Sequence, residues 1–304
     1  MSGRAFSRGV GEWVGSAEVY DAGGRFAGTG RDVRSVQADD RAGRVTVEVT
    51  FDGPFSLSGV YTIADHGSHR VYEGPLNVGF AEALGDGLVA AHNYWPDLGL
   101  SQRFFLMVLP DGTRQLSLAL LSRGERLCWT VVGEYQRRPD PATTTPLTAE
   151  PAAEPSGDDP AGGRGQPLLL RSGCWSGRLQ HLDTALEPAG TVDHVETVAA
   201  DPVANDGRSF AIELSGLGFA GDASFTLMAD GTEIWTPAGE VVGSAMLSGG
   251  RGLSGQFHHT ADGLRMWRRE VASRDGTMKA VLYLWYRGEQ CLGAVYGTLA
   301  FDPA

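Results

Sequence analysis

The segment Gly11-Glu12-Trp13-Val14-Gly15 returns 162 positions later as Gly173-Cys174-Trp175-Ser176-Gly177. Towards the end of each copy the offset becomes 164, where Asp111-Gly112-Thr113 matches Asp275-Gly276-Thr277. Matches at an almost constant spacing indicate that one domain has been duplicated within the chain.

The two copies are separated by a stretch of different composition. Residues 139–168 are rich in Pro, Ala, Thr, Gly and acidic side chains and contain almost no large apolar ones until their end. Such a segment buries too little surface to offset its ordering entropy, so it is interpreted as a flexible linker. The predicted domains are therefore residues 1–138 and 169–304.

Within each copy the dominant pattern is the alternation of apolar and polar residues. Val45, Val47, Val49 and Phe51 interleave with polar side chains, which is the period of a half-buried strand. Turn signals such as Pro110-Asp111-Gly112 separate these runs. The pattern predicts an all-β protein with about eight or nine short antiparallel strands in each copy, closed into two up-and-down barrels.

Composition excludes several classes of partner. The formal net charge of −12 argues against binding to nucleic acid and to an anionic membrane surface. No stretch approaches the length of a membrane span, and the first ten residues lack the apolar core of a signal peptide. Three cysteines are an odd and sparse set, which favours a cytoplasmic location.

The Gly-x-Trp motif that opens each copy, at Gly11 and Gly173, resembles the hallmark of the calycin superfamily, which contains lipocalins and fatty-acid-binding proteins. The tandem arrangement is similar to bacterial two-barrel calycins, including a cyanobacterial group related to phycobilin lyases. The resemblance implies that each Trp closes one end of its barrel against an Arg from the last strand. The first copy offers Arg137 or Arg138, whereas the second ends in Leu299-Ala300-Phe301.

A barrel of this size either packs solid or holds one small ligand, and its polar aromatic clusters are the places to look for a site. In the first copy His92, Tyr94 and Arg103 are predicted to share a strand face, where they could donate protons or stabilise an enolate. These three are the candidate catalytic residues. The alternative is a rim turn whose aromatic rings plug the barrel. Neighbouring candidates for substrate binding are Tyr72, Glu73 and Trp95.

The second copy offers His258, followed by Arg265 and Trp267 on one strand face, and Tyr283 on a later strand. These are candidate substrate-binding residues for a ligand carboxylate or phosphate. The solvated outside of a strand explains the charged ones equally well, and core packing explains Tyr283. His194 and Glu196 have strand spacing, which fits either an oriented imidazole or a surface pair. His66 and His69 lack further ligands, so no metal and no cofactor are predicted.

The resulting functional hypothesis is a cofactor-independent enzyme of the isomerase, cyclase or lyase type. Its substrate would be a lipophilic or aromatic small molecule held in a barrel cavity, as in bacterial specialised metabolism. Two alternatives remain open at this point: a non-catalytic carrier for a lipophilic ligand or chromophore, and a structural partner-binding module.

Overall fold

A computed structural model of the chain describes residues 8–39, 41–65, 70–74, 77–85, 87–138, 167–185, 187–200, 208–217, 221–230, 233–237 and 239–304. The chain divides into two compact units, Met1–Glu154 and Pro155–Ala304. Each unit contains one closed antiparallel barrel of ten strands, which confirms the predicted all-β tandem-barrel fold. The predicted linker lies outside the described residues except for Pro167 and Leu168.

The first barrel is an up-and-down meander in which each strand pairs with its neighbours in sequence and β1 pairs with β10 to close the sheet. Its strands are β1 (Gly11–Asp21), β2 (Phe26–Asp39), β3 (Arg44–Asp52), β4 (Ser56–Asp65), β5 (Arg70–Glu73), β6 (Val78–Gly85), β7 (Leu88–Trp95), β8 (Leu100–Val108), β9 (Arg114–Arg123) and β10 (Arg126–Arg137).

The second barrel repeats this topology, with β11 closing on β20. A 3-10 helix, Leu168–Leu170, precedes it and buries Leu169 in its core. No helix among the described residues is long and apolar enough to cross a bilayer. The strands are β11 (Gly173–Leu182), β12 (Pro188–Ala200), β13 (Arg208–Leu217), β14 (Gly221–Asp230), β15 (Glu233–Trp235), β16 (Val241–Ser248), β17 (Gly252–His259), β18 (Leu264–Ala272), β19 (Met278–Arg287) and β20 (Gln290–Pro303).

The alternation read from the sequence correctly identifies the inner face of β3. Val45, Val47, Val49 and Phe51 are buried, and the residues between them are exposed. The structure has ten strands per barrel instead of the predicted eight or nine. The additional strands include β5, with 4 residues, and β15, with 3. Elements this short contain too few residues to show a period of two.

The two tryptophans of the repeated motif occupy equivalent, fully buried positions near the start of the first strand of each barrel. Trp13 is fully buried, and its indole N–H donates to the backbone oxygen of Gly9 at 2.9 Å. The guanidinium of Arg137 lies 4.8 Å from the Trp13 ring centroid. In the second barrel Phe301 takes that position, with its ring centroid 4.6 Å from that of Trp175.

Candidate functional site

A cavity lies inside the first barrel, between its Trp13 end and the turns at the opposite end. It leaves about 60 Å³ free for the centres of water-sized molecules. An engineered cavity of about 150 Å³ admits benzene, so a ligand with one aromatic ring requires the lining side chains to move apart. The lining residues are Asp32, Arg34, Val49, Phe51, Phe55, Leu57, Tyr61, Asn93, Trp95, Leu98, Gln102, Phe104, Ser117, Ala119, Leu121, Val131 and Tyr135.

A polar network forms one wall of this cavity. Arg34 makes a two-point ion pair with Asp32, with Nε 3.0 Å from Oδ1 and Nη2 2.6 Å from Oδ2. The Tyr135 hydroxyl accepts a hydrogen bond from Nη2 at 2.9 Å and donates to Oδ2 of Asp32 at 3.1 Å. It is also 3.0 Å from the Ser117 hydroxyl. Such charge-assisted, two-point pairing fixes the guanidinium plane.

Two glycines make room for the Tyr135 ring. A side-chain carbon at Gly133 would collide with the Tyr135 hydroxyl, and it would lie 2.6 Å from Oγ of Ser117. A side-chain carbon at Gly15, which pairs with Tyr135 across the sheet, would lie 2.7 Å from the tyrosine ring. The network therefore depends on glycine at position 133, whereas a side chain at position 15 would collide first with the backbone oxygen of Glu134 in β10.

Burial and charge set the protonation of the cavity wall. Burial acts to lower the pKa of Arg34, but Asp32 and Tyr135 outweigh it, so the pKa of the guanidinium is raised and Arg34 is a permanent cation. Burial raises the pKa of Tyr135, and it raises the pKa of Tyr61 to about 12. Both phenols are therefore neutral at physiological pH and can donate hydrogen bonds.

Aromatic rings form much of the remaining wall. Tyr61 stacks on Tyr72 with centroids 5.5 Å apart, and it meets Trp95 edge to face at 5.8 Å. Phe104 covers the guanidinium of Arg34 at 5.4 Å. Such a surface accepts a flat apolar ligand with little loss of side-chain freedom.

An amide pair supplies a second polar point. The Trp95 indole N–H donates to Oε1 of Gln102 at 2.8 Å, and Nδ2 of Asn93 donates to the same oxygen at 3.3 Å. Oδ1 of Asn93 is buried and has no hydrogen-bond partner within the described parts of the chain. Because a buried acceptor without a partner is costly, this oxygen is a candidate contact for a ligand donor.

The interior of the second barrel is occupied by a buried ionic quartet, which we define as Glu196, Arg268, Glu270 and Lys279. Arg268 contacts Glu196 and Glu270, each at 2.5 Å. Lys279 contacts Glu196 at 2.7 Å and Glu270 at 2.8 Å. All four side chains are at most 1% exposed, so the ring of two cations and two anions is shielded from solvent.

Two members of the quartet, together with the neighbouring Tyr283, occupy positions that line the cavity in the first barrel. With the repeat offsets of 162 and 164, Glu196 corresponds to Arg34, Arg268 to Phe104 and Tyr283 to Ala119. The Tyr283 hydroxyl donates to Oε1 of Glu270 at 3.0 Å, and its ring stacks on His194 at 5.6 Å. Where the first barrel has a small side chain facing its cavity, the second has a buried tyrosine.

The three predicted catalytic residues lie outside the first barrel. Asn93 and Trp95 line the cavity, so the alternating His92 and Tyr94 face outward, and Tyr94 is 44% exposed. Arg103 pairs with His92 across the sheet and therefore shares that face. Alternation correctly groups these residues, but it does not decide which face is the inner one. Their expected position at the cavity mouth is wrong.

Of the residues predicted to bind substrate in the first copy, two lie inside the barrel and one lies on its outer face. Trp95 lines the cavity, and Tyr72 is buried behind Tyr61 in the same barrel interior. Glu73 follows Tyr72 and lies on the opposite face of β5.

In the second copy His258, Arg265 and Trp267 meet on the outer face. His258 is exposed and pairs with Arg265 across the sheet, while the intervening Met266 belongs to the core. Arg265 donates to the backbone oxygen of Gly288 at 3.2 Å. Tyr283 is inside the barrel, but its hydroxyl is already bound to Glu270. These positions favour the solvated-face and core interpretations.

Asp32, Arg34 and Tyr135 belong to no motif in the sequence, and only the structure identifies them as site residues. Asp32 and Arg34 occupy the positions that His194 and Glu196 occupy in the second copy, so both copies place two ionisable groups two residues apart on the inner face of the same strand. That shared position was the available signal. No group of three His, Cys, Asp or Glu side chains suited to a metal ion is found in the described ranges, and His66 and His69 lie outside them.

The geometry defines a class: paired ten-stranded antiparallel barrels, the first of which encloses a cavity with a polar wall. A solved structure with a similar fold is that of a protein with unknown function from the DUF3598 family of Nostoc punctiforme. It is similar over 99% of both chains, with a TM-score of 0.61 and 12% sequence identity. At that identity the likeness shows the fold alone.

Other solved structures are more distant. Kievitone hydratase from Nectria haematococca matches with a TM-score of 0.18 and 11% identity, covering 100% of this chain and 93% of its own. Transferrin binding protein B from Neisseria meningitidis matches with 0.22 and 9% identity, covering 91% and 66%. Scores this low support no argument. No protein-family model and no curated protein matches the chain. The calycin relationship therefore stays a prediction.

Proposed function

We propose that the first barrel binds one small aromatic or otherwise apolar molecule in its cavity, and that the second barrel is a structural counterpart without a ligand. The observation that carries this proposal is the buried pair of Arg34 and Asp32 on the wall of a cavity otherwise lined mainly by aromatic and aliphatic side chains. Ligand pockets commonly combine an apolar lining with a few placed polar groups.

One nitrogen of the Arg34 guanidinium is available to bind a ligand. Nε and Nη2 of Arg34 are engaged by Asp32 and Tyr135, whereas Nη1 has no hydrogen-bond partner in the described part of the chain. The side chain retains 14% exposure. An N–H donor in a partly apolar cavity gains a hydrogen bond when a ligand oxygen reaches it.

Catalysis is a second candidate, on different residues from those first predicted. Arg34 lies on the cavity wall with its Nη2 bound to the Tyr135 hydroxyl, and the remaining nitrogen, Nη1, would polarise a ligand carbonyl as an isomerase or lyase requires. Incubation of the protein with candidate aromatic ketones and enones, followed by mass-spectrometric product analysis, tests this. A product formed by the unmodified protein and lost in Arg34→Met supports turnover, and recovery of every compound unchanged supports a binding role.

The binding proposal is tested by fluorine NMR with three small probes, namely 4′-fluoroacetophenone, 4-fluorophenol and 4-fluorobenzoate. Ala119→Tyr introduces into the cavity the side chain that Tyr283 supplies in the second barrel. Val49→Phe is a second cavity-filling variant, and Thr50→Phe is its matched control, since Thr50 is exposed on the opposite face of β3.

We expect at least one probe to bind, with a dissociation constant of about 10⁻⁵ to 10⁻³ M for molecules of this size. Binding should be lost in Ala119→Tyr and Val49→Phe and kept in Thr50→Phe. Absence of binding by all three probes, or binding that survives both cavity-filling changes in folded protein, contradicts the proposal.

A further inference from the structure

We infer that the cavity of the first barrel selects uncharged aromatic ligands that carry a carbonyl or hydroxyl oxygen, and that it discriminates against carboxylates. This inference rests on the proposed binding function and specifies its ligand class. It follows from the charge balance of the cavity wall, the occupied positions of the Arg34 guanidinium and the unpaired oxygen of Asn93.

The charge of the wall is already balanced. Asp32 and Arg34 are the ionised residues among those that line the cavity, and they contact each other at 2.6 Å. Tyr61 and Tyr135 also line it, and burial raises the pKa of each phenol, so neither adds a charge. A neutral ligand preserves the balance, whereas a carboxylate adds an uncompensated negative charge in a buried place.

The guanidinium geometry points the same way. A carboxylate binds arginine best through two parallel N–H···O hydrogen bonds. Asp32 occupies that two-point arrangement through Nε and Nη2. Nη1 remains, and it suits a single acceptor such as a ketone or phenol oxygen. The rings of Tyr135, at 4.4 Å, and Phe104, at 5.4 Å, hold the guanidinium in place.

The amide groups of Asn93 and Gln102 favour a ligand that carries a hydrogen-bond donor. The indole N–H of Trp95 can only donate, so it fixes Oε1 of Gln102 as the acceptor, and Nδ2 of Asn93 shares that oxygen. Oδ1 of Asn93 is then left as a buried acceptor. A ligand hydroxyl or N–H satisfies it, and a carboxylate cannot.

The test compares two isosteric probes, 4′-fluoroacetophenone and 4-fluorobenzoate, by fluorine NMR at neutral pH. We expect the ketone to bind the unmodified protein at least about tenfold more tightly than the carboxylate, since burying an unpaired charge costs more than 1.4 kcal/mol. Asp32→Asn leaves Arg34 as an unbalanced cation of nearly unchanged shape, and it should reverse the preference. Asp39→Asn, on the exposed end of β2, is the matched control and should leave it unchanged.

Equal affinity for the two probes, or tighter binding of 4-fluorobenzoate by the unmodified protein, overturns this inference while leaving the binding function intact. Failure of both probes and of 4-fluorophenol to bind overturns the binding function itself. If Asp32→Asn does not fold, as judged by circular dichroism, the preference of the unmodified protein still decides the question.

Discussion

Tyr135 occupies space that exists only because residue 133 is glycine. A side-chain carbon at Gly133 would collide with the Tyr135 hydroxyl, and it would lie 2.6 Å from the ring carbon that bears this hydroxyl. Two residues of one strand are thus fitted to each other, and the hydroxyl that results joins Arg34, Asp32 and Ser117. The polar wall of the cavity therefore requires that residue 133 has no side chain.

We predict that Gly133→Ala lowers the free energy of unfolding by about 1–3 kcal/mol, because it overpacks the barrel interior. It should also weaken probe binding by displacing the Tyr135 hydroxyl from Arg34. Chemical denaturation and the fluorine NMR titration measure the two effects.

A double-mutant cycle separates this contact from a general cost of alanine in β10. Leu299 corresponds to Tyr135 in the second barrel and Gly297 to Gly133, so Tyr135→Leu is a change with a precedent in the chain. Gly133→Ala should lower the free energy of unfolding distinctly less in the Tyr135→Leu background than in the unmodified protein. Equal costs in the two backgrounds would show that the glycine is not required by the phenol.

The ionic quartet of the second barrel yields a stability prediction. Glu196→Gln leaves Arg268 and Lys279 without one of their two anionic partners in a buried site. Removing one partner of a buried ion pair costs about 3–5 kcal/mol. The matched control is Asp193→Asn, which removes an exposed pair with Arg178 at 3.7 Å and should cost less than about 1 kcal/mol. Similar losses for both variants would contradict the account.

The same quartet makes stability depend on pH in the acid range. Burial acts to raise the pKa of Glu196 and of Glu270, but Arg268 and Lys279 outweigh it, so both pKa values are lowered. A carboxylate with a lowered pKa in the folded state stabilises the protein above its unfolded-state pKa, and the contribution is lost as the pH falls. The free energy of unfolding of the unmodified protein should therefore decrease below about pH 4.5. In Glu196→Gln the free energy of unfolding should depend less steeply on pH over the same range.

Two histidines should affect the pH dependence of stability with opposite signs. Burial lowers the pKa of His194, so the unfolded chain binds its proton more readily and His194 disfavours the folded state as the pH falls below about 6.5. The hydrogen bond to Asp262, at 2.7 Å, raises the pKa of the largely solvated His259, whose small contribution is present below that pH and is lost as the pH rises. Each histidine is replaced by Gln, and the free energy of unfolding of each variant is measured between pH 5 and 8. The two substitutions should change the slope of this free energy against pH in opposite directions. Changes in the same direction would contradict the prediction.

The fold can be predicted from the sequence more completely than the candidate site can. The repeat of the segment around Trp13 and Trp175 and the alternation in β3 predict two β barrels, because self-similarity and strand period can be recognised without knowing which residues are in contact. The strand β5 escapes prediction because four residues show no period.

The site is harder to predict because alternation groups residues by face without naming the inner one. Alternation places His92 and Tyr94 on one face, which is the outer one, while Asn93 and Trp95 lie on the other face and line the cavity. Charged residues are usually exposed, so the sequence alone does not indicate that Asp32 and Arg34 face the interior. Their ion pair with each other and their contact with Tyr135, which is 103 residues from Asp32 in sequence, explain how they are accommodated inside the barrel.

The most direct test of the central claim is the location of the bound probe, measured by intermolecular nuclear Overhauser effects from 4′-fluoroacetophenone to methyl-labelled protein. The account predicts contacts with the methyl groups of Val49, Ala119 and Val131, which line the cavity of the first barrel. Contacts confined to Ile212 and Leu247, in the core of the second barrel, would contradict it.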